Sequence, residues 1–109
     1  MKLLAARLGA AAALAALSFS SMAQAPAAAP IDARAAAYLA ANCAHCHDTQ
    51  GKAVGAMPSL AGQPKATMVE AMRAFRDGKR PATIMHQLSK GYSDAQIEAI
   101  AEHFSKQPR

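Results

Sequence analysis

The chain is short of most of what lets a small domain hold itself together. Only two of its 109 residues are cysteine, too few for a disulfide framework, and a bridge between Cys43 and Cys46 would close a tiny loop and stabilise little. No β-branched run reads as a strand, which removes the βαβ setting that a thioredoxin-like C-x-x-C pair normally occupies. The cysteines have no second ligand pair of similar spacing, and His86 and His103 stand singly and far apart, which counts against a zinc site. Aromatic residues are 5% of the chain and form no stripe with the basic ones, so its mild positive charge is no sign of nucleic-acid binding. Nor is there an apolar run long enough for a comfortable membrane span.

What is present begins with an address. Lys2 and Arg7 form a basic start, Leu8 to Leu17 is rich in Ala and Leu, and small-x-small sites follow at Ser21-Met22-Ala23 and Ala23-Gln24-Ala25. Residues 1–23 read as a secretory signal peptide, cut after Ala23, because cutting after Ala25 would leave Pro26 directly behind the cut. The style of signal points to a bacterial periplasm, with no membrane span left after cleavage. Lys2 and Arg7 account for two of the formal charges of +5, so the exported chain keeps +3. Residues 24–31 are Ala- and Pro-rich and read as a disordered leader. The folded domain is expected over 32–109, near the size at which a protein-only core becomes marginal.

The organising stretch is Cys43-Ala44-His45-Cys46-His47, a C-x-x-C-H run that reads as the attachment site of a c-type haem. Residues three and four apart share one face of a helical turn, so Cys43, Cys46 and His47 can point at one object. The cysteines would form thioether bonds to the porphyrin and His47 would be the proximal iron ligand. His45 reads as an exposed spacer. One covalent haem c would also supply interior, so the protein without haem is expected to be poorly folded.

Around this motif the sequence reads as helices and one long loop. Asp32 is a plausible N-cap for a helix from about Ala33 into the haem motif, with Ala35, Tyr38, Leu39 and Asn42 at helical spacing and the small Ala35 and Ala36 allowing close approach of another helix. From Asp48 to Pro64 there is no apolar period, only Gly51, Gly55, Pro58, Gly62 and Pro64, and a loop this long is reasonable if it wraps a cofactor. Pro58 and Leu60 would pack against the porphyrin, and Pro58 or a neighbouring carbonyl would accept a hydrogen bond from the outer ring nitrogen of His47. Met68, Met72 and Phe75 mark the apolar face of a helix from about Lys65 to Asp77, with Gly78 at its left-handed cap. A short segment from Ala82 to Lys90 carries Ile84, Met85 and Leu88. The last helix opens with a capping box, Ser93 and Gln96, and buries Ile97, Ile100, Ala101 and Phe104.

A thioether favours ferrous iron, so a methionine is the natural sixth ligand for an electron carrier. Met57 lies too close to the attachment site to reach the opposite haem face, and Met68 and Met72 read as packing. Met85 is the expected distal ligand, His86 its main rival and an open position the third possibility. The basic cluster of Arg73, Arg76, Lys79 and Arg80 reads equally as a solvated helix face or as contacts to haem propionates or a docking partner.

With Cys43-x-x-Cys46-His47 go Pro58-Ser59-Leu60-Ala61-Gly62-Gln63-Pro64, Phe75-Arg76-Asp77-Gly78-Lys79-Arg80 and Gly91-Tyr92-Ser93-Asp94 leading into Ile97. On these residues the chain resembles the small bacterial class I cytochromes c, within them the single-haem units related to the haem subunit of flavocytochrome c sulfide dehydrogenase. The resemblance implies an all-α fold of about four short helices around a covalently bound haem, with the first and last helices crossing. By position it makes Cys43 and Cys46 the thioether residues, His47 the proximal ligand and Met85 the distal one. It departs in scale, since the family's sulfide-oxidising subunit commonly carries two such domains and this chain has one C-x-x-C-H. The expected function is non-enzymatic one-electron transfer between periplasmic redox proteins. The alternatives are a haem subunit of a periplasmic dehydrogenase such as a flavoprotein, and a haem enzyme or gas sensor with an open sixth position.

Overall fold

A computed structural model describes residues 29–48 and 50–109. The expected signal peptide, and the leader as far as residue 28, lie outside them. Among the described residues the elements are all helical: α1 Ala33–Ala41, α2 Ala44–His47, α3 Lys65–Arg76, α4 Met85–Leu88, a 3₁₀ turn Ser89–Gly91, and α5 Asp94–Ser105. None is long and apolar enough to cross a membrane.

Helix α5 is the centre of the fold. It packs on α1 on one side and on α3 on the other, while α4 leans on α3 and α2 on α1. Ile97, Ile100, Ala101 and Phe104, spaced to share one face, are all buried. Its start is fixed by the expected capping box: the Ser93 hydroxyl accepts the Gln96 N–H at 3.3 Å and the Gln96 side chain accepts the Ser93 N–H at 2.9 Å.

Helix α1 starts as expected, the Asp32 carboxylate accepting the Ala35 N–H at 2.7 Å, but its buried face is turned from the expected one. Ala36 and Ala40 are buried, whereas Ala35 is exposed and Tyr38 lies 68% exposed beneath Arg34. In so Ala-rich a stretch nearly every face is equally small, so the apolar spacing carries little phase information. Nor does the helix run unbroken into the cysteines. The Cys43 N–H bonds the Ala40 carbonyl at 2.9 Å, a three-residue step that tightens the turn, and α2 begins one residue later. Asn42 and Cys43 keep right-handed helical dihedrals, so this is a pinch in one winding path.

Helix α3 buries Met68 and Val69, with Met72 half-buried against the same core. It ends in a Schellman motif: the Gly78 N–H bonds the Phe75 carbonyl at 3.1 Å, the Lys79 N–H bonds Ala74 at 2.8 Å, and Gly78 adopts φ +70°. The segment after Pro81 is helical only from Met85, and its final turn is 3₁₀.

Candidate functional site

The attachment turn is built by the backbone bonds that the spacing requires. The His47 N–H reaches the Cys43 carbonyl at 2.8 Å and the Cys46 N–H reaches it at 3.2 Å, so the two cysteines and His47 lie within one turn. Cys43 is half-buried against the core, Cys46 is exposed, and no disulfide joins them. Burial pushes the Cys43 thiol up, and neighbouring Cys46 adds in the same direction. That is opposite to the thiolate a thioredoxin-like pair needs. Among the described residues no three His, Cys, Asp or Glu side chains are grouped to hold a metal ion.

His47 is the one buried histidine. Its Nδ1 lies 2.6 Å from the Pro58 carbonyl. A carbonyl can only accept, so Nδ1 carries a proton, which leaves Nε2 as the nitrogen that would face a metal. The hydrogen bond expected from the sequence is thus present. His45 is exposed, with Nδ1 3.4 Å from the Asn42 carbonyl.

The Pro58 carbonyl is aimed by the base of its loop. The Gly51 carbonyl accepts the N–H groups of Leu60, at 2.6 Å, and Ala61, at 3.1 Å. Gly51 has φ +73°, and a Cβ there would lie 2.8 Å from Cδ1 of Phe104 and 3.0 Å from the Ala61 nitrogen. Only glycine lets the loop sit on the Phe104 ring. The Phe104 carbonyl in turn accepts the Gly62 N–H at 2.9 Å, so one residue of α5 anchors the loop by ring and by backbone. Leu60 is half-buried against the core, while the Pro58 ring is exposed.

Met85 opens α4 and is half-buried. Its apolar neighbours Ile84 and Leu88 remain 49% and 48% exposed, and Met57 in the loop 42%. Among the described residues the backbones of α1 and α3 both approach α5 and not each other, and their side chains Ala40, Met68 and Val69 share one core with it. Two free thiols within one turn and a buried imidazole whose Nδ1 is engaged by a carbonyl form a donor set that fits a haem.

The basic cluster does not present itself as free charge. Arg76 meets Asp94 at 2.8 Å, Arg73 meets Glu98 at 3.3 Å and Asp94 at 3.5 Å, Lys79 lies 3.9 Å from Asp77, and Arg80 sits over the Phe75 ring. The Arg73 and Arg76 pairs clamp α3 to α5, while Lys79 and Arg80 meet partners close to them in sequence. The sequence does not show the clamp, because Asp94 and Glu98 lie on a different helix. Also unforeseen was Ser89, fully buried; the available signal was its place four residues after Met85.

A cytochrome c family model matches residues 32–107. The cytochrome subunit of sulfide dehydrogenase from Chlorobaculum tepidum is 34% identical over 79 residues, which cover 72% of each chain. Cytochrome c-554(548) of Halomonas halodenitrificans is 34% identical over 70% of this chain and 96% of its own. The thiosulfate dehydrogenase electron acceptor of Thiomonas intermedia is 37% identical, but the match covers only 37% of that protein. Among solved structures, cytochrome c4 of Acidithiobacillus ferrooxidans aligns with a TM-score of 0.56 and 33% identity over 58% of this chain and 37% of that one. The helical order, the attachment turn and these matches agree, and the chain belongs to the cytochrome c family, as a small class I member that transfers electrons.

Proposed function

We propose that the chain is exported, loses residues 1–23, and works in the periplasm through a domain spanning 32–109 that holds one covalent haem c. Cys43 and Cys46 bond the porphyrin, His47 ligates the iron from the proximal side and Met85 from the distal side, and Pro58 and Leu60 pack against the group. The observation that carries this reading is the His47–Pro58 hydrogen bond, which fixes the tautomer a metal ligand needs. When bound, the haem would supply an iron that can change charge by one electron. The chain does the rest: His47 offers a basic nitrogen, Met85 a thioether that favours the reduced state, and the apolar margin of Ile84 and Leu88 keeps water away. Donor and acceptor are other periplasmic redox proteins. A reduced-minus-oxidised spectrum of the holoprotein tests the reading. The weak far-red ferric band of methionine ligation, together with resistance of the reduced protein to carbon monoxide, is expected; ready binding of carbon monoxide contradicts it.

A second reading, a haem subunit of a flavoprotein dehydrogenase, is favoured by the even coverage of the Chlorobaculum tepidum relative. It requires a stable complex, and gel filtration of the natively purified protein separates it from transient encounter.

A further inference from the structure

Ser89 is fully buried, and its hydroxyl lies 3.5 Å from Sδ of Met72. A thioether is a weak acceptor, and an alanine would fill the same place with nothing to satisfy. Ser89 also caps α4: its backbone N–H donates to the Met85 carbonyl, closing the single turn that Met85 opens. One residue therefore meets Met72 through its side chain and Met85 through its backbone, two of the four methionines considered for the distal position. Met72 borders the same core as Cys43 and Leu60, on a side chain with three rotatable bonds that adapts readily to a new position.

We propose that Ser89 is a positioning residue that selects the distal ligand: its amide sets the turn that presents Met85, and its hydroxyl holds the Met72 sulfur away from the iron. This rests on the assignment of Met85 made above. With the hydroxyl gone, Met72 is free to turn and compete, and wherever Met85 is absent it takes the site.

The test uses the full holoprotein and imidazole as the probe for an open iron position. Met85→Ala is expected to bind imidazole and to lack the shifted methyl resonance of an iron-bound thioether. Met85→Ala with Ser89→Ala is expected to recover that resonance and to bind imidazole at least tenfold more weakly, and adding Met72→Leu returns the affinity to that of Met85→Ala. Equal imidazole affinity with and without Ser89, and no recovered resonance, overturns the role of Ser89 while leaving Met85 in place. A native methionine signature in Met85→Ala alone overturns the Met85 assignment and the proposal with it. Should the double variant not accumulate, Ser89→Ala alone decides: two iron-bound methyl resonances support the proposal and a single one overturns it.

Discussion

With Met85 as the proposed distal ligand, Met85→Ala would remove a thioether that favours ferrous iron, and the midpoint potential is expected to fall by on the order of 0.1 V, within the wide range that axial ligands command. The haem stays attached and exogenous ligands gain access, which potentiometry and carbon monoxide binding check together. Gly51→Ala acts on the other face without touching the iron. Its new Cβ would collide with the Phe104 ring at 2.8 Å and would occupy φ +73°, a conformation that costs a non-glycine residue about 1–3 kcal/mol. The loop base then shifts, Pro58 loses its aim at His47, and denaturant unfolding and the midpoint potential move together. The attachment turn itself was readable from five letters because its chemistry is local. Ser89 was not, because its partner Met72 is 17 positions away and nothing in a serine announces burial.

Helix α5 joins local rules to distant ones. Ser93→Ala removes the cap and is expected to cost about 1 kcal/mol, read from the denaturation midpoint. The Arg76 hydrogen bond holds the Asp94 carboxyl below its usual range, and the Lys106 hydrogen bond does the same for Glu102. A carboxylate with a depressed folded pKa adds stability above its unfolded value, about 4, and that stability is lost as pH falls through the folded value. Melting temperature is therefore expected to drop below about pH 4, less steeply in Arg76→Ala, and salt is expected to shrink the difference because these groups are exposed. The stripe Ile97, Ile100, Ala101 and Phe104 was legible because polar residues flank it. The face of α1 was not, since a run of alanines looks alike from every side and only packing against α5 picks out Ala36 and Ala40. The fate of the arginines was equally hidden, as a helix cannot state which other helix will supply its carboxylates.

Among the described residues nine apolar side chains are buried, and Phe104 is the largest, so Phe104→Ala should cost about 3–5 kcal/mol and strand the loop that aims His47. Alanines contribute four of those nine, which leaves little apolar mass to offset chain entropy, and Ile84, Leu88 and Met57 remain half-exposed. Mature protein made without haem attachment is expected to show weak near-ultraviolet dichroism and a broad, non-cooperative melt. On this account the covalent group would be as much interior as cofactor. The measurement that tests this most directly is to denature the mature protein, made with its host's haem-attachment machinery, and extract it with acidified acetone. The red colour should stay with the polypeptide and vanish from it when both Cys43 and Cys46 are changed to alanine. Colour that leaves the native chain with the solvent, or never accompanies it, contradicts a haem bonded through those two sulfurs.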